Sequence, residues 1–493
     1  MTDPQQVLAT RVRDALGAAF GGDYASADPV IRPSQFADYQ SNAALPLAKR
    51  LGRKPRDVAG DIVAHLDLSG ICDSAPEVSG PGFINLRLSA DWIAAQAAGL
   101  LEDPRLGVPD PETPRTIVVE YSSPNVAKEM HTGHLRTTIV GDALARICEF
   151  AGHQVIRDNH VGDWGTPFGM LIEHLVDVGE DSPDARLLRT DPNVFYQAAR
   201  AKFDSDQSFA RRSRQRVVKL QSGADPDTGR LWNDLVGLSR QYLHDVYSRL
   251  QVTLTDDDIR GESFYNDLLQ GVADDLTAMG LAEVSDGALC AFPPGFTGRD
   301  GSPLPVIIRK SDGGWNYSTT DLATIRYRID KLNVDRAIYV VGSDQALHFR
   351  MVFATAKMAG WLPDGPEFEH AQIGLVQGKG GGKIKTRSGD TPKLNGLLTE
   401  GVDRARAILD EVEGLDEAVK DTIAEDVGIG AIKYADLSTA RDSAYTFDFD
   451  RMISFKGNTG PYLQYASVRI RSIFRRAGLD ETAVSGPIMV THQ

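Results

Sequence analysis

Two histidines, His131 and His134, flank Gly133 in the stretch SSPNVAKEMHTGHLRTTIVGDALARI, residues 122–147. Imidazoles can donate hydrogen bonds to phosphate oxygens, or to charge that develops as a phosphoryl centre is attacked. The stretch follows an apolar β-like run at 116–121 and precedes a helix-patterned segment, so a helix starting near residue 133 would aim its unsatisfied N–H groups at the loop. Such a helix mouth is a generic anion site, and a glycine at 133 lets the backbone approach a bound ligand. Zinc is a poor reading, because nothing nearby supplies a third ligand at convincing spacing. The bland alternative is one buried and one surface histidine.

A second phosphate-directed candidate is the glycine-rich GKGGGKIKTRSGDT at 378–391, with Lys383, Lys385 and Arg387. A P-loop is excluded on spacing: Ile384 follows Gly382 and Lys383, and Gln377 stands where the first glycine belongs. A third feature, YSTTD, places Tyr317 and Asp321 four apart, on one face if a helix begins there.

The elements that would position these groups read as α/β. Residues 116–121 form a first strand, and Leu135, Ile139, Ala143, Ile147 and Phe150 recur at helical spacing. HQVIRDNHV supplies a second strand, completing a β-α-β unit of the kind that binds ligands at the carboxyl ends of parallel strands. A largely helical, polar insert follows from 173, turning mixed towards 310. Alternating structure resumes with AIYVVGSD, a helix over 346–359 and a strand at 371–378; beyond 397 the pattern is almost wholly helical. Ahead of this core, residues 1–108 read as a separate α+β module, with helical patterning at 5–20 and 38–51, a turn and strand in GPGFINLRLS, and a proline-rich linker at 106–115.

The 493 residues exceed one hydrophobic core and predict several domains. With 42% hydrophobic and 25% charged residues, neither a disordered nor a fibrous class fits. No window has the ~20 apolar residues of a membrane helix, and the amphipathic, acid-containing N-terminus reads as neither signal nor transit peptide. Three cysteines without metal-ligand spacing point to a reducing cytoplasm. Net charge is −15, yet basic clusters at 49–56, 211–219 and 469–476 could meet a phosphate backbone at separated points, unless each is simply a solvated helix face.

PNVAKEMHTGH resembles the H-x-G-H motif of class I aminoacyl-tRNA synthetases in its arginyl-tRNA synthetase form. FADYQSNAALPLAKRLGRKPRDVA and GPGFINLRLS resemble that family's N-terminal domain. DNHVGDWGTPFGMLIEHL, GGWNYSTTDLATIRYR and YVVGSDQALHFRMVFATAKMAG resemble its catalytic core, and GNTGPYLQYASVRIRSIFRRAG the opening of its helical anticodon-binding domain. The resemblance implies an N-terminal tRNA-elbow-type domain at 1–108, a Rossmann-like parallel-sheet catalytic domain at 109–395 with an insertion at about 173–310, and a helical stem with an incomplete anticodon-binding-type domain at 396–493. It implies an enzyme that uses ATP and Mg²⁺ to make arginyl-adenylate and passes the arginine to tRNA; a cytoplasmic monomer with no membrane association is expected.

By the same resemblance His131, Gly133 and His134 bind ATP. KIKTRSG stands in for the second class motif, with Thr386 where a lysine is usual; Lys128 supplies the missing charge, and Lys383, Lys385 and Arg387 close over pyrophosphate. Tyr317, Asp321 and Gln345 fall at the arginine-binding positions, together with Glu120, Ser123, Pro124, Asn125 and His134. No protein-held metal site is implied. Pro167 departs from the family's glutamine and removes a donor and an acceptor. The helical C-terminal module normally runs about a hundred residues further, so Leu463, Val468, Ile470 and Ile473 are expected to be partly uncovered. Two other functions compete: aminoacyl transfer to a small-molecule amine without tRNA, and a catalytically silent RNA-binding relative.

Overall fold

The computed structural model describes residues 3–378 and 393–480. They fall into two compact units, residues 1–110 with the chain from 473 onward, and residues 111–472.

In the first unit an antiparallel sheet runs in the order Ile31–Pro33, Tyr39–Ser41, Phe83–Leu86, Glu77–Ser79. Helix Pro4–Phe20 starts where Asp3 caps the Gln5 N–H and a proline takes the first turn. Its Leu8, Val12, Ala15 and Leu16 lie on one face and are buried with Leu47, Val58, Ile62 and Ile84. The helical pattern expected over 38–51 holds only for Ala44–Leu51; residues 39–41 pair as a strand. Alternation over three residues is too short a signal to separate from helical spacing.

The second unit is built on four parallel strands: β1 (Thr116–Glu120), β2 (Gln154–Asp158), β3 (Arg336–Tyr339) and β4 (Glu367–His370), in the spatial order β4-β3-β1-β2. Ile117, Val118 and Val119 are almost wholly buried, as befits a parallel strand covered on both faces. Helix α1 (Thr132–Phe150) crosses from β1 to β2. At Gly141 an added Cβ would sit 2.1 Å from the Tyr121 Cβ, so glycine sets how closely α1 lies on the sheet. Leu135 and Ile139 are buried, but the apolar spacing does not stay on the core face. Ile147 is 63% exposed and Phe150 46%, while Leu144 and Cys148 of the same turns pack against the core.

Helix α2 (Thr166–Val178) runs through residue 173, where the insert is expected to begin. The insert's helices are punctuated by their caps: Ser182, Asp191, Asp206 and Asp225 each accept a backbone N–H, and Pro183, Pro192 and Pro226 open three of them. The last of these is α3 (Pro226–Leu250). Helix Asn266–Ala278 and an antiparallel sheet of Ala282–Ser285, Ala288–Ala291 and Val306–Arg309 complete the insert. Helices α4 (Tyr317–Asp330) and α5 (Ala346–Met358) flank β3 in sequence. Of the strand expected over 371–378, only Val376–Gln377 forms, and it pairs with Tyr445–Thr446.

Beyond lie α6 (Leu394–Asp410) and α7 (Glu417–Leu437). Arg136 of α1 ties this helical segment to the sheet: its fully buried guanidinium donates to the carbonyls of Gly374, Ala440 and Ser443 and lies 3.1 Å from Asp436. In the final helix, Gly460–Ala477, Leu463, Val468, Ile470 and Ile473 are at least half exposed.

Candidate active site

Strand β1 connects outward to β2 on one side while β3 lies on its other side. The carboxyl ends of β1 and β3 therefore form a topological switch point, where loops diverge and leave a crevice. Residues from both loops line a cleft of about 630 Å³: Ser122, Ser123, Asn125, His131, Gly133 and His134 from the first, Asp344 and Gln345 from the second. That size falls within the ~300–1,000 Å³ of a small-molecule site.

Its near wall rests on an unusual turn. Ser122 (φ 66°) and Ser123 (φ 45°) both take left-handed conformations directly after β1, each costing about 1–3 kcal/mol. Four side chains hold the turn: Ser122 Oγ lies 2.8 Å from Tyr247 Oη, Thr138 donates to Ser122 Oγ at 2.9 Å, and Asn159 accepts from Ser123 N at 3.0 Å and donates to Tyr247 at 2.9 Å. Asn159 follows β2 and Tyr247 sits on α3, so the insert helps to shape the loop. Spacing in the sequence carries no trace of this network; Asn159 stood inside a quoted motif but without a role.

The two histidines form a capping box. His131 is the N-cap of α1 and its Nδ1 accepts the Gly133 N–H at 3.0 Å, while His134 Nδ1 accepts the His131 N–H at 3.1 Å. An accepting Nδ1 is unprotonated, so each neutral ring carries its proton on Nε2. Burial, then the nearby Lys128 charge, lowers the His131 pKa. Burial, His131 and Lys128 push that of His134 down to about 3. The rings stack at 4.0 Å. An added Cβ at Gly133 would lie 2.8 Å from the His131 ring, so this glycine makes room for an imidazole as well as for a ligand. The pair offers neutral N–H donors. Lys128 is close enough to depress both histidines, and it lines a smaller apolar pocket beside them with Val126, Phe168 and Tyr242.

Lys383, Lys385 and Arg387 lie outside the described residues. The chain just after them is pinned to the histidine loop: Lys393 bridges His131 through the backbone, Leu394 N donates to Met130 O at 3.0 Å, and Lys393 Nζ lies 3.1 Å from Glu129 and 3.3 Å from Asp191.

Of the remaining expected residues, Asn125, Pro167 and Tyr317 line a second hollow of about 270 Å³ with Trp164, Glu262, Lys310 and Trp315, while Ser123 and Gln345 border the first cleft and Glu120, Pro124 and Asp321 line neither. Asn125 borders both cavities. Pro167 sits in the first turn of α2, where a missing N–H costs nothing; the backbone there accommodates the replacement of glutamine. Pro124 is buried and its carbonyl accepts from Gly162 at 3.0 Å. Gln345 donates to Asp344 at 3.0 Å. Asp321 is engaged by His348, whose Nε2 lies 2.5 Å from Oδ2. Glu120 is buried, and Arg328 bonds both it (2.5 Å) and Asp158 (3.0 Å). Burial pushes the Glu120 carboxyl up, with Arg328 and His160 pulling it back. Arg328, His160, Glu262 and His348 are site components that the sequence reading did not assign.

Two family profiles match the chain: "tRNA synthetases class I (R), catalytic domain" over residues 97–449, and "Arginyl tRNA synthetase N terminal domain" over residues 6–88. The arginine–tRNA ligase of Thermobifida fusca is 63% identical over 492 residues, covering all of this chain and 85% of that protein. The arginine–tRNA ligase of Synechococcus elongatus is 48% identical, with 97% and 83% covered. Among solved structures, arginyl-tRNA synthetase from Plasmodium falciparum superposes with a TM-score of 0.78 at 29% identity, covering 98% of this chain and 82% of that one. The Thermus thermophilus enzyme, at 0.73 and 23% identity, shares the fold.

Proposed function

This chain belongs to the arginyl-tRNA synthetases of class I, and from that premise we propose how its residues divide the work of arginine–tRNA ligation. The enzyme activates arginine with ATP and charges tRNA. The arginine carboxylate attacks the α-phosphate in line, releasing pyrophosphate and leaving arginyl-adenylate, and a hydroxyl of the terminal ribose of tRNA, the 2′-OH, then takes the acyl group.

The observation that carries the reading is the histidine capping box. Two stacked imidazoles whose Nδ1 atoms are spent on the backbone are left with Nε2–H groups as donors at the mouth of a helix. Fixed neutral donors stabilise the oxygens of an attacked phosphate without reorganising, the term that usually dominates in such sites. Lys128, with Lys383, Lys385 and Arg387, supplies the cationic share. Among the described residues no group of three or more His, Cys, Asp or Glu side chains is placed to hold a metal. Mg²⁺ bound to the ATP phosphates would neutralise part of their charge, with Asp344 the carboxylate that lines the same cleft.

Asp321, Tyr317 and Gln345 receive the guanidinium, which a carboxylate binds as a fork. Ser123, Asn125 and Glu120 face the α-carbon end. Arg328 bonds the Glu120 and Asp158 carboxylates there, and an α-ammonium would add a further cation beside them. Residues 1–108 meet the tRNA elbow, and the chain works as a cytoplasmic monomer. Among the described residues no helix is long and apolar enough to cross a membrane.

Charging assays with all twenty amino acids and total tRNA test the reading: arginine alone should be attached. Adenylate formation without charging would favour transfer to a small-molecule amine. Because enzymes of this family often need tRNA for activation, pyrophosphate exchange has to be run with tRNA present.

A further inference from the structure

We infer that His348 is a positioning residue for arginine selection, holding the Asp321 carboxylate in the plane that a guanidinium requires. The inference rests on the assignment of Asp321 to the guanidinium and goes beyond it. Asp321 lies in the second turn of α4 and His348 in the first turn of α5, and both side chains are 16% exposed, half-sunk at the rim of the arginine site. The Nε2···Oδ2 distance is 2.5 Å, and a ring with its proton on Nε2 donates here whether or not Nδ1 is also protonated. Among the described residues no other hydrogen bond reaches the Asp321 carboxylate, so Oδ1 is left for a ligand.

The imidazole cannot easily swing away. The Tyr317 ring packs against it at 4.8 Å and Phe349 at 5.3 Å. An aspartate's terminal torsion is broad and roughly two-fold, so an isolated Asp321 would present its oxygens in many planes. A boxed donor on Oδ2 removes that freedom. The consequence differs between ligands. A planar guanidinium must match the carboxylate plane to bond as a fork, whereas an ammonium is a point charge indifferent to it. His348 therefore favours arginine over amines of similar reach, and it does so in binding, away from the reacting carboxylate.

Two variants test this in tRNA charging. His348→Phe keeps a ring between Tyr317 and Phe349 but removes the donor; His348→Gln restores an N–H near the Nε2 position. Phe is expected to raise the arginine KM about tenfold with kcat and the ATP KM within about twofold, the pattern of lost ground-state binding. Competitive inhibition by lysine should be nearly unchanged, and Gln should recover most of the arginine KM. The inference is overturned if folded His348→Phe has a parental arginine KM, if arginine and ATP KM rise together, or if Gln is as impaired as Phe. Asp321→Asn runs alongside: impaired Asp321→Asn with normal His348 variants would defeat only the role of His348, whereas normal kinetics in both would remove the arginine pocket itself.

Discussion

His131 and His134 satisfy the first turn of α1 through each other: each ring's Nδ1 takes a backbone N–H of the same turn, and the two rings stack 4.0 Å apart. The same contacts cap the helix and fix which nitrogen faces the cleft. Structural and chemical roles can therefore be separated by substitution. His134→Asn keeps an acceptor near the Nδ1 position and removes the Nε2 donor. It should retain its melting temperature within a few degrees while kcat for arginyl transfer falls about 10²–10³-fold, the usual loss for one preorganised donor. Stopped-flow or charging kinetics beside a thermal melt decide this; equal loss of stability and activity would mean that the rings only cap.

Asp321→Ala removes the carboxylate assigned to the guanidinium. Losing a desolvated charge partner costs about 2–4 kcal/mol, which should appear as a fall in kcat/KM for arginine of that size, with the ATP KM little changed. Steady-state charging at varied arginine reads it directly.

The strained serine turn gives a third expectation. Tyr247 Oη lies between Ser122 and Asn159, and Tyr247→Phe leaves their buried polar groups without it. The loss should be about 1–3 kcal/mol of stability, measured by urea unfolding. Because the turn carries Ser123 and Asn125 into the cleft, the arginine KM should rise as well.

Arg136 tests the link between the sheet and the helical segment. Its guanidinium is buried with Asp436 and three carbonyls. Arg136→Met strands that carboxylate, and breaking one side of a buried pair typically costs about 3–5 kcal/mol. Calorimetry should show a clearly lower melting temperature, with residual activity at low temperature.

The hollow next to Asp321 should make arginine binding depend on pH. Burial pushes the Glu262 carboxyl up to about 7, with His160 opposing and Asp163 and Asp321 adding to the rise. His160 faces the same group: burial disfavours its charge, but Glu120, Asp321, Asp158 and Glu262 outweigh this and raise its pKa. A cationic ligand favours the ionised carboxyl, so arginine entry releases a proton and the arginine KM should fall as pH rises through about 7. The stability term has the opposite sense. A carboxyl raised in the folded state adds stability at acid pH and loses it as pH climbs through 7. Glu262→Gln should flatten the KM profile; an unchanged profile would assign the effect elsewhere.

Much of the fold is legible in the sequence. The β1–α1–β2 unit followed from an apolar run, a 3.6-residue period and a second run, all strong local signals. The histidines, Tyr317, Asp321 and Gln345 stand out as candidates in the sequence because motifs preserve residue type in order along the chain. What stayed hidden is long-range in sequence. Arg328 is 208 residues from Glu120, and Tyr247 is 125 from Ser122; no periodicity connects such pairs. His348 stood three residues from Gln345 without a role, because its partner Asp321 is on another helix. The neutrality of His131 and His134 also needed geometry, since only the capping contacts reveal which nitrogen carries the proton. The strand expected over 371–378 shrank to two residues because its pairing partner is a short segment near 445 that local pattern does not mark.

The most direct measurement is a crystal structure with arginine and a non-hydrolysable ATP analogue. The account predicts the α-phosphate within hydrogen-bond distance, ~3 Å, of Nε2 on His131 or His134, with the guanidinium on Asp321. A nucleotide bound away from the mouth of α1, or imidazoles turned from the phosphates, would contradict it.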